Sequence, residues 1–451
     1  GEDAVYAGHS LWRFIAQRFG KTTVSNIIHM TSMSNSIDKG FMYVIGLSFR
    51  QLTQEWKEYY RKEYSQFAEI ESMPENVFNI KYKSDIRYGQ PHISPYGDYL
   101  AYTTNEFGKY KIYLHNLSTG KKKKIFRRGV SIGTKTDYSY PLLAWHPTGK
   151  LLAFIIEDKG MPWLYRYNIE DKEFTKQIIY NVQKVTDFGF SDNGQLFVMS
   201  AVQNGQSDVF VYNIAASSFY NITNDIFSEL NPRFINNSKQ IVFSSNRVND
   251  TLGKKTELIV GVPDNFDLFV YDYSNRNPIL KRITNTPIAN EIMPESYGYN
   301  SISYLSDESG IYNSYLAVLD SSVSSVDTAI HYRYFIHSKA VTNYSRDILN
   351  HNVSYKAGKK TSVIFDNNLY KIFIEDTPSS SSIPELFPDT TLYMLQLQAN
   401  YNKKQAGQLK KKLAMAKEDF KEEVVEKTPQ FKRFSMVYKN EKGEEVIGVM
   451  G

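Results

Sequence analysis

Three groups of residues in this 451-residue chain have types and spacings that chemistry uses. The first is Gly129-Val130-Ser131-Ile132-Gly133, a G-x-S-x-G run of the kind that lifts a nucleophilic serine onto a strained strand-to-helix turn beneath an oxyanion hole. That use needs a helical pattern to follow, and residues 134–140 are polar and aperiodic instead, so the run reads as a loop between strands. The second is Lys121-Lys122-Lys123-Lys124 with Arg127 and Arg128, the densest charge in the chain. It would attract an anionic partner such as lipopolysaccharide or an acidic protein face. Phe126 is its only interleaved ring, so it lacks the aromatic ladder that stacks nucleic-acid bases and reads as a solvated strand end. The third is histidine: His9 and His29 are the candidates for a metal site, yet no H-E-x-x-H spacing accompanies them and both read as structural. Asp192 and Asp307 fall in turn sequences, without the spacing of a calcium loop. His92 and His146 are expected at equivalent places beside a repeated turn. No catalytic, cofactor-binding or metal-ligating residue is assigned, and no single binding residue is singled out.

The elements that must position any site are mostly strands. With 34 Tyr and 27 Phe the composition favours β-structure, and a 41% hydrophobic share supports a sizeable core. The absence of cysteine excludes disulfides, thiolate metal sites and a cysteine nucleophile. A net charge of +5 selects neither nucleic acid nor acidic lipid. No apolar run of about 18 residues predicts a membrane span, the first residues do not read as a signal peptide, and the chain reads as part of a larger protein.

Residues 1–66 carry a helical period. Leu11, Phe14, Ile15 and Phe19 share one face of a helix closed by Gly20. Further helices centre on Val24, Ile27 and Ile28, on Phe41, Val44 and Ile45, and on Leu52, Trp56, Tyr59 and Tyr60, the last opened by a Ser48/Gln51 capping box. Residues 67–84 read as a linker in which Val77-Phe78-Asn79-Ile80 is placed to pair with a strand near Tyr370 to Ile374 and close a ring. From 85 to 376 one cassette returns: Ser94-Pro95-Tyr96-Gly97-Asp98 between alternating apolar flanks, then His146-Pro147-Thr148-Gly149, then Ser191-Asp192-Asn193-Gly194, with Asn236-Asn237-Ser238 replacing the glycine in the fourth copy. A β-unit recurring at roughly 50 residues buries its apolar face only against other copies, which predicts a mainly β fold, a propeller of about six blades. The fourth copy holds an insertion over 246–266; the last two copies are degenerate. Residues 377–451 form an extension: a flexible Ser-rich linker over 377–382, a strand through Phe387 to Leu395, and a charged helix over 403–427.

Ser-Pro-x-Gly-x-x-Leu-Ala-Tyr followed by Ile-Tyr-Leu-x-Asn-Leu-x-Thr-Gly, as in residues 94–120, resembles the TolB-type repeats of WD40-like propellers. Tyr6-Ala7-Gly8-His9-Ser10-Leu11-Trp12, Phe19-Gly20-Lys21, Gly46-Leu47-Ser48 and Glu55-Trp56-Lys57-Glu58-Tyr59-Tyr60 resemble the helical C-terminal half of gluzincin peptidases of the MA clan, whose zinc-binding half precedes this part. The pairing is similar to cell-envelope proteins of Bacteroidota. The resemblance implies a non-catalytic protein-binding scaffold, periplasmic or outer-membrane-associated, within a complex serving protein secretion or outer-membrane protein biogenesis, with protein partners, no nucleic acid and no cofactor. Its alternative is a zinc metallopeptidase whose HExxH segment lies upstream, the propeller gating substrate; since the chain holds no HExxH, an enzyme is not expected within it. With only about 75 residues after the last blade, a prolyl-oligopeptidase arrangement is not expected. A third reading takes surface tyrosines as a glycan-binding face.

Overall fold

In a computed structural model the described residues are 2–65, 72–129, 136–253, 262–326, 330–426, 435–439, 443 and 445–449. They form two compact units, residues 1–389 and 390–451. The first begins with four helices, α1 (Glu2–Phe19), α2 (Lys21–Ser34), α3 (Ile37–Ile45) and α4 (Phe49–Glu63). Their shared core is Phe14, Ile15, Ile27, Phe41 and Leu52, the positions the 3.6-residue period singles out. Ser48 caps α4 through a reciprocal box with Gln51. Gly40 lets α3 approach α2, since a Cβ there would sit 2.0 Å from the Thr31 hydroxyl. His9 and His29 are exposed on α1 and α2.

The rest of this unit is a β-propeller of six blades, spanning residues 87–128, 142–178, 184–221, 229–282, 291–340 and 348–376. Blades 1 to 5 are four-stranded antiparallel sheets, and blade 6 has three strands. Its outer edge is taken by the segment before blade 1: Val77 bridges Phe373, the Phe78 N–H donates to the Ile372 carbonyl at 2.8 Å, and the Ile374 N–H donates to the Asn76 carbonyl. Phe78 then packs edge-on against Tyr102 and His115 of blade 1, so one short segment ties the last blade to the first.

Each blade buries its apolar face against its neighbours in the ring. Tyr165, Phe154 and Tyr167 of blade 2 meet Ala101, Ile112 and Leu114 of blade 1, for example, and Phe197, Phe210 and Tyr212 of blade 3 meet Leu142 and Ile155 of blade 2. Blades 3, 4 and 5 share a polar latch that the cassette did not reveal. Asp208, Asp267 and Asn313 on the third strands accept hydrogen bonds from Thr223, Thr284 and Thr342 just after the fourth strands, and each threonine oxygen accepts a backbone N–H of the third strand. Every buried polar atom named in this latch has a partner, as burial requires.

The segment after blade 6 departs from the flexible linker expected at 377–382. Ile383 is buried, the Tyr297 hydroxyl donates to the Pro378 carbonyl, Lys339 donates to the Ser380 and Ile383 carbonyls, and Leu386 bridges Ala340. Serine and proline in sequence signal irregular backbone; here one buried isoleucine and a borrowed strand edge turn that backbone into a strap. The strand expected through Leu395 is also corrected. In the second unit helix α5 runs Leu392–Glu426, starting well before the expected 403, because the Thr391 hydroxyl accepts the Met394 N–H and caps it. Leu392 and Leu395 suit a helical face as well as a strand. A hairpin of Ser435–Lys439 with Glu445–Val449 completes the described residues.

Candidate functional site

The innermost strands of the six blades, Arg87–Ile93, Leu142–Trp145, Lys184–Phe190, Glu229–Ile235, Glu291–Ser296 and Ile348–Ser354, surround the propeller axis. Their ladders place one residue of each at the same height. His92 pairs with Ala101, Ala144 with Ala153, Gly189 with Val198, Arg233 with Val242, Glu295 with Ser303 and Asn352 with Thr361. All six line one axial pocket of about 510 Å³.

At this level the pocket floor is an ionic plug. Arg233 lies 3.0 Å from both the Asp187 and the Glu295 carboxylates, while Asn231 donates to Asp187 and Asn352 to Glu295. Ala144 and Gly189 are small where the other blades carry long side chains, and a Cβ on Gly189 would stand 3.2 Å from Arg233 Cδ, so the glycine makes room for the arginine to lie across the axis. Burial works against the charge on Arg233, but the two carboxylates hold it protonated. Glu295 is pushed up by burial, against the pull of Arg233. Burial, reinforced by Arg233, pushes His92 down to about 3, and burial pushes His351 down to about 4, so both are neutral at neutral pH. Below the plug a second cavity of about 220 Å³ is lined by Gln90, Asn105, Asn231 and His351 among others.

Local backbone explains how these side chains reach the axis. Gln90, Asn231 and Met293 have φ of 48°, 50° and 51°, each precedes a proline, and each sits at a register shift in its strand. A bulge with a proline that needs no ladder partner rotates the next residue toward the centre. That residue is His92, Arg233 or Glu295.

Above the plug the pocket opens among the hairpin turns that the repeated cassette encodes. Gly97, Gly149 and Gly194 have φ of 82°, 71° and 72°, and Asn236, Asn237 and Ser238 substitute at 53°, 57° and 59°. These turns interlock around the ring. The Tyr96 ring lies against Gly149, the His146 ring against Gly194, Asp192 bonds Ser238, Asn236 exchanges hydrogen bonds with Asn300, Tyr355 lies on Gly298, and Ala357 meets Gly97. The belt is closed without a gap among the six turns.

The remaining sequence candidates fall elsewhere. Residues 130–133 of the G-x-S-x-G run lie outside the described residues. In the Lys121 to Arg128 cluster, Lys122 sits 4.1 Å from the Tyr113 ring centre, Lys123 donates to the Tyr167 hydroxyl at 2.9 Å and Arg128 pairs with Asp158. The cluster lines an edge strand, where lysines discourage pairing with another sheet. Asp192 and Asp307 bond neighbouring turns, as carboxylates in loops do. The expected equivalence of His92 and His146 is corrected: His92 is on the ladder facing the axis, whereas His146 follows its strand and matches Ser94, each opening a turn. The plug residues Asp187, Arg233 and Glu295 went unnoticed in the sequence, although Gln90-Pro91-His92, Asn231-Pro232-Arg233 and Met293-Pro294-Glu295 repeat there as a proline preceding a polar residue. Among the described residues no cluster of three or more His, Asp or Glu is placed to hold a metal ion.

The fold and this axial site define a closed six-bladed β-propeller with a pocket at its turn face. Residues 75–250 match the family model described as TolB beta propeller domain, and the propeller is TolB-like. No curated protein sequence matches the chain. Among solved structures, TolB from Acinetobacter baumannii is 14% identical with a TM-score of 0.37, over 64% of this chain and 54% of that one. A putative TolB from Agrobacterium tumefaciens is 13% identical with a TM-score of 0.41, over 65% of this chain and 91% of that one. The β-propeller domain of the Trilobed protease from Pyrococcus furiosus is 9% identical with a TM-score of 0.39, over 69% and 98%. Likenesses this distant carry no inference about activity.

Proposed function

We propose that this chain is a protein-binding scaffold of a bacterial envelope, periplasmic or associated with the outer membrane through its partners, and that partners dock on the turn face. The observation that carries the reading is the interlocked belt of six turns. Binding loops normally lose conformational freedom when a partner orders them; turns already locked to one another lose little. In the plug beneath, Arg233 is held between the Asp187 and Glu295 carboxylates, so the charges at the axis are engaged with one another. The TolB-like repeats agree with this reading, and among the described residues no helix is long and apolar enough to cross a membrane. Service in protein secretion or outer-membrane protein biogenesis, and a gluzincin-like origin for the helices of residues 2–65, belong to the same proposal. Gentle extraction of the native protein tests it. A stoichiometric complex with other envelope proteins is expected, and a protein that stays free of partners under several extraction conditions contradicts the reading.

A further inference from the structure

We propose that the axial pocket above the plug binds a neutral saccharide, the end of a glycan chain entering from the turn face. At about 510 Å³ the pocket has the volume of a small-molecule site. Its walls carry the rings of Trp145, Phe190 and Phe234, and Tyr299 and Tyr355 stand at the lip, 70% and 48% exposed. Tyr355 is seated against backbone: a Cβ on Gly298 would come within 2.9 Å of its ring. Exposed apolar groups gathered at the mouth of a groove and rimmed by polar residues mark a binding surface. The lip also presents planar polar groups, the Asn237 amide and the Asp192 carboxylate, whose Oδ2 accepts from the Ser238 hydroxyl.

The charge pattern selects among ligands. Both floor carboxylates are already bound, by Arg233, Asn231 and Asn352, so a cation gains little there, and Lys356 at the lip repels one. An anion would approach the two carboxylates. A pyranose suits what remains, because its weakly positive C–H face lies on an aromatic π-face while its hydroxyls bond carboxylate and amide. The pocket is blind, closed below by the plug, which fits a chain end. This inference does not depend on the protein-docking reading, and its failure would leave that reading untouched.

The test uses the full chain with maltotriose, cellotriose and triacetylchitotriose as probes, followed by calorimetry and by tryptophan fluorescence, for which Trp145 in the wall is the reporter. One probe at least is expected to bind one-to-one, with a signal that disappears in Trp145→Phe. Tyr355→Ala should weaken binding about tenfold, whereas Tyr355→Phe, which keeps the ring, and Tyr180→Ala, exposed away from the pocket, should leave it within about twofold. Retained binding by Tyr355→Phe guards against a folding defect in the alanine variant. Absence of heat and of fluorescence change with all three trisaccharides overturns the proposal. So does binding that Tyr355→Ala does not weaken, or a polypeptide segment found cross-linked within the pocket in the native complex.

Discussion

Replacing Arg233 by alanine removes the cation that neutralises the floor of the axis. Its side chain is 15% exposed and those of Asp187 and Glu295 are 11% and 7%, so solvent screens the pair of carboxylates poorly. Breaking a buried ion pair from one side costs about 3–5 kcal/mol, because the charge left behind is uncompensated. The loss should depend on pH with a definite sign. Glu295 is already raised above the ordinary 4.5 by burial, and without the arginine it rises further. A carboxyl whose folded pKa exceeds its unfolded one contributes stability that is present below the unfolded value and is lost as pH rises through the folded one. Protonation of His92, which Arg233 now opposes, would relieve the variant further in acid. The penalty of Arg233→Ala, measured by equilibrium urea unfolding, should therefore be larger at pH 8 than at pH 5. A combined Arg233→Met, Asp187→Asn, Glu295→Gln variant, which leaves no charge, should recover most of it. A penalty under about 1 kcal/mol, as for exposed pairs, or one equal at both pH values, would refute the reasoning.

Other consequences can be measured on the same protein. Gly194→Ala combines positive φ with a Cβ 2.0 Å from the His146 ring, and should cost about 2–4 kcal/mol; in a His146→Ala background its cost should fall toward the 1–2 kcal/mol of left-handed backbone alone, seen as coupling in a double-mutant cycle. Burial, with Asp267 nearby, pushes Glu291 up to about 8, so Glu291→Gln should be near neutral at pH 5 and stabilising at pH 9 in unfolding curves, where the native glutamate must ionise. Ile383→Ala should cost about 2–5 kcal/mol if residues 377–389 are a strap, and well under 1 kcal/mol if they are a free linker. His92 and His351, pushed down to about 3 and 4, bind protons only on unfolding near pH 5; stability should fall as pH drops below about 6.5, and His92→Gln should flatten that slope by about one proton.

The turns were legible in the sequence and the axis was not, for a physical reason. A turn is a local event: Gly97, Gly149 and Gly194 are needed where they stand, and even the Asn236-Asn237-Ser238 replacement announces its left-handed backbone by residue type. The plug depends on which residues from six distant strands reach one height, and that is set by bulges whose register no local pattern displays. The proline before His92, Arg233 and Glu295 was the available clue. It escaped notice because proline in a strand reads as an interruption, whereas here it marks the rotation that aims a side chain at the axis. The pairing of His92 with His146 failed on position along the repeat: His92 stands five residues before its turn glycine, still on the ladder, whereas His146 stands three before its own and has already entered the turn, as Ser94 has. At the C-terminal side, serine-rich backbone and a short apolar run both allowed two readings, and single interactions by Ile383 and Thr391 chose between them.

The central claim is that partners are held at the turn face. Photo-cross-linking amino acids placed one at a time at Tyr96 and Tyr299 on the turns, and at Tyr138 and Leu349 at the opposite end of the axis, would test it in the native envelope. Adducts of defined mass with other envelope proteins from the first pair and none from the second are the predicted result. Adducts arising only from the second pair, or from neither, would contradict it.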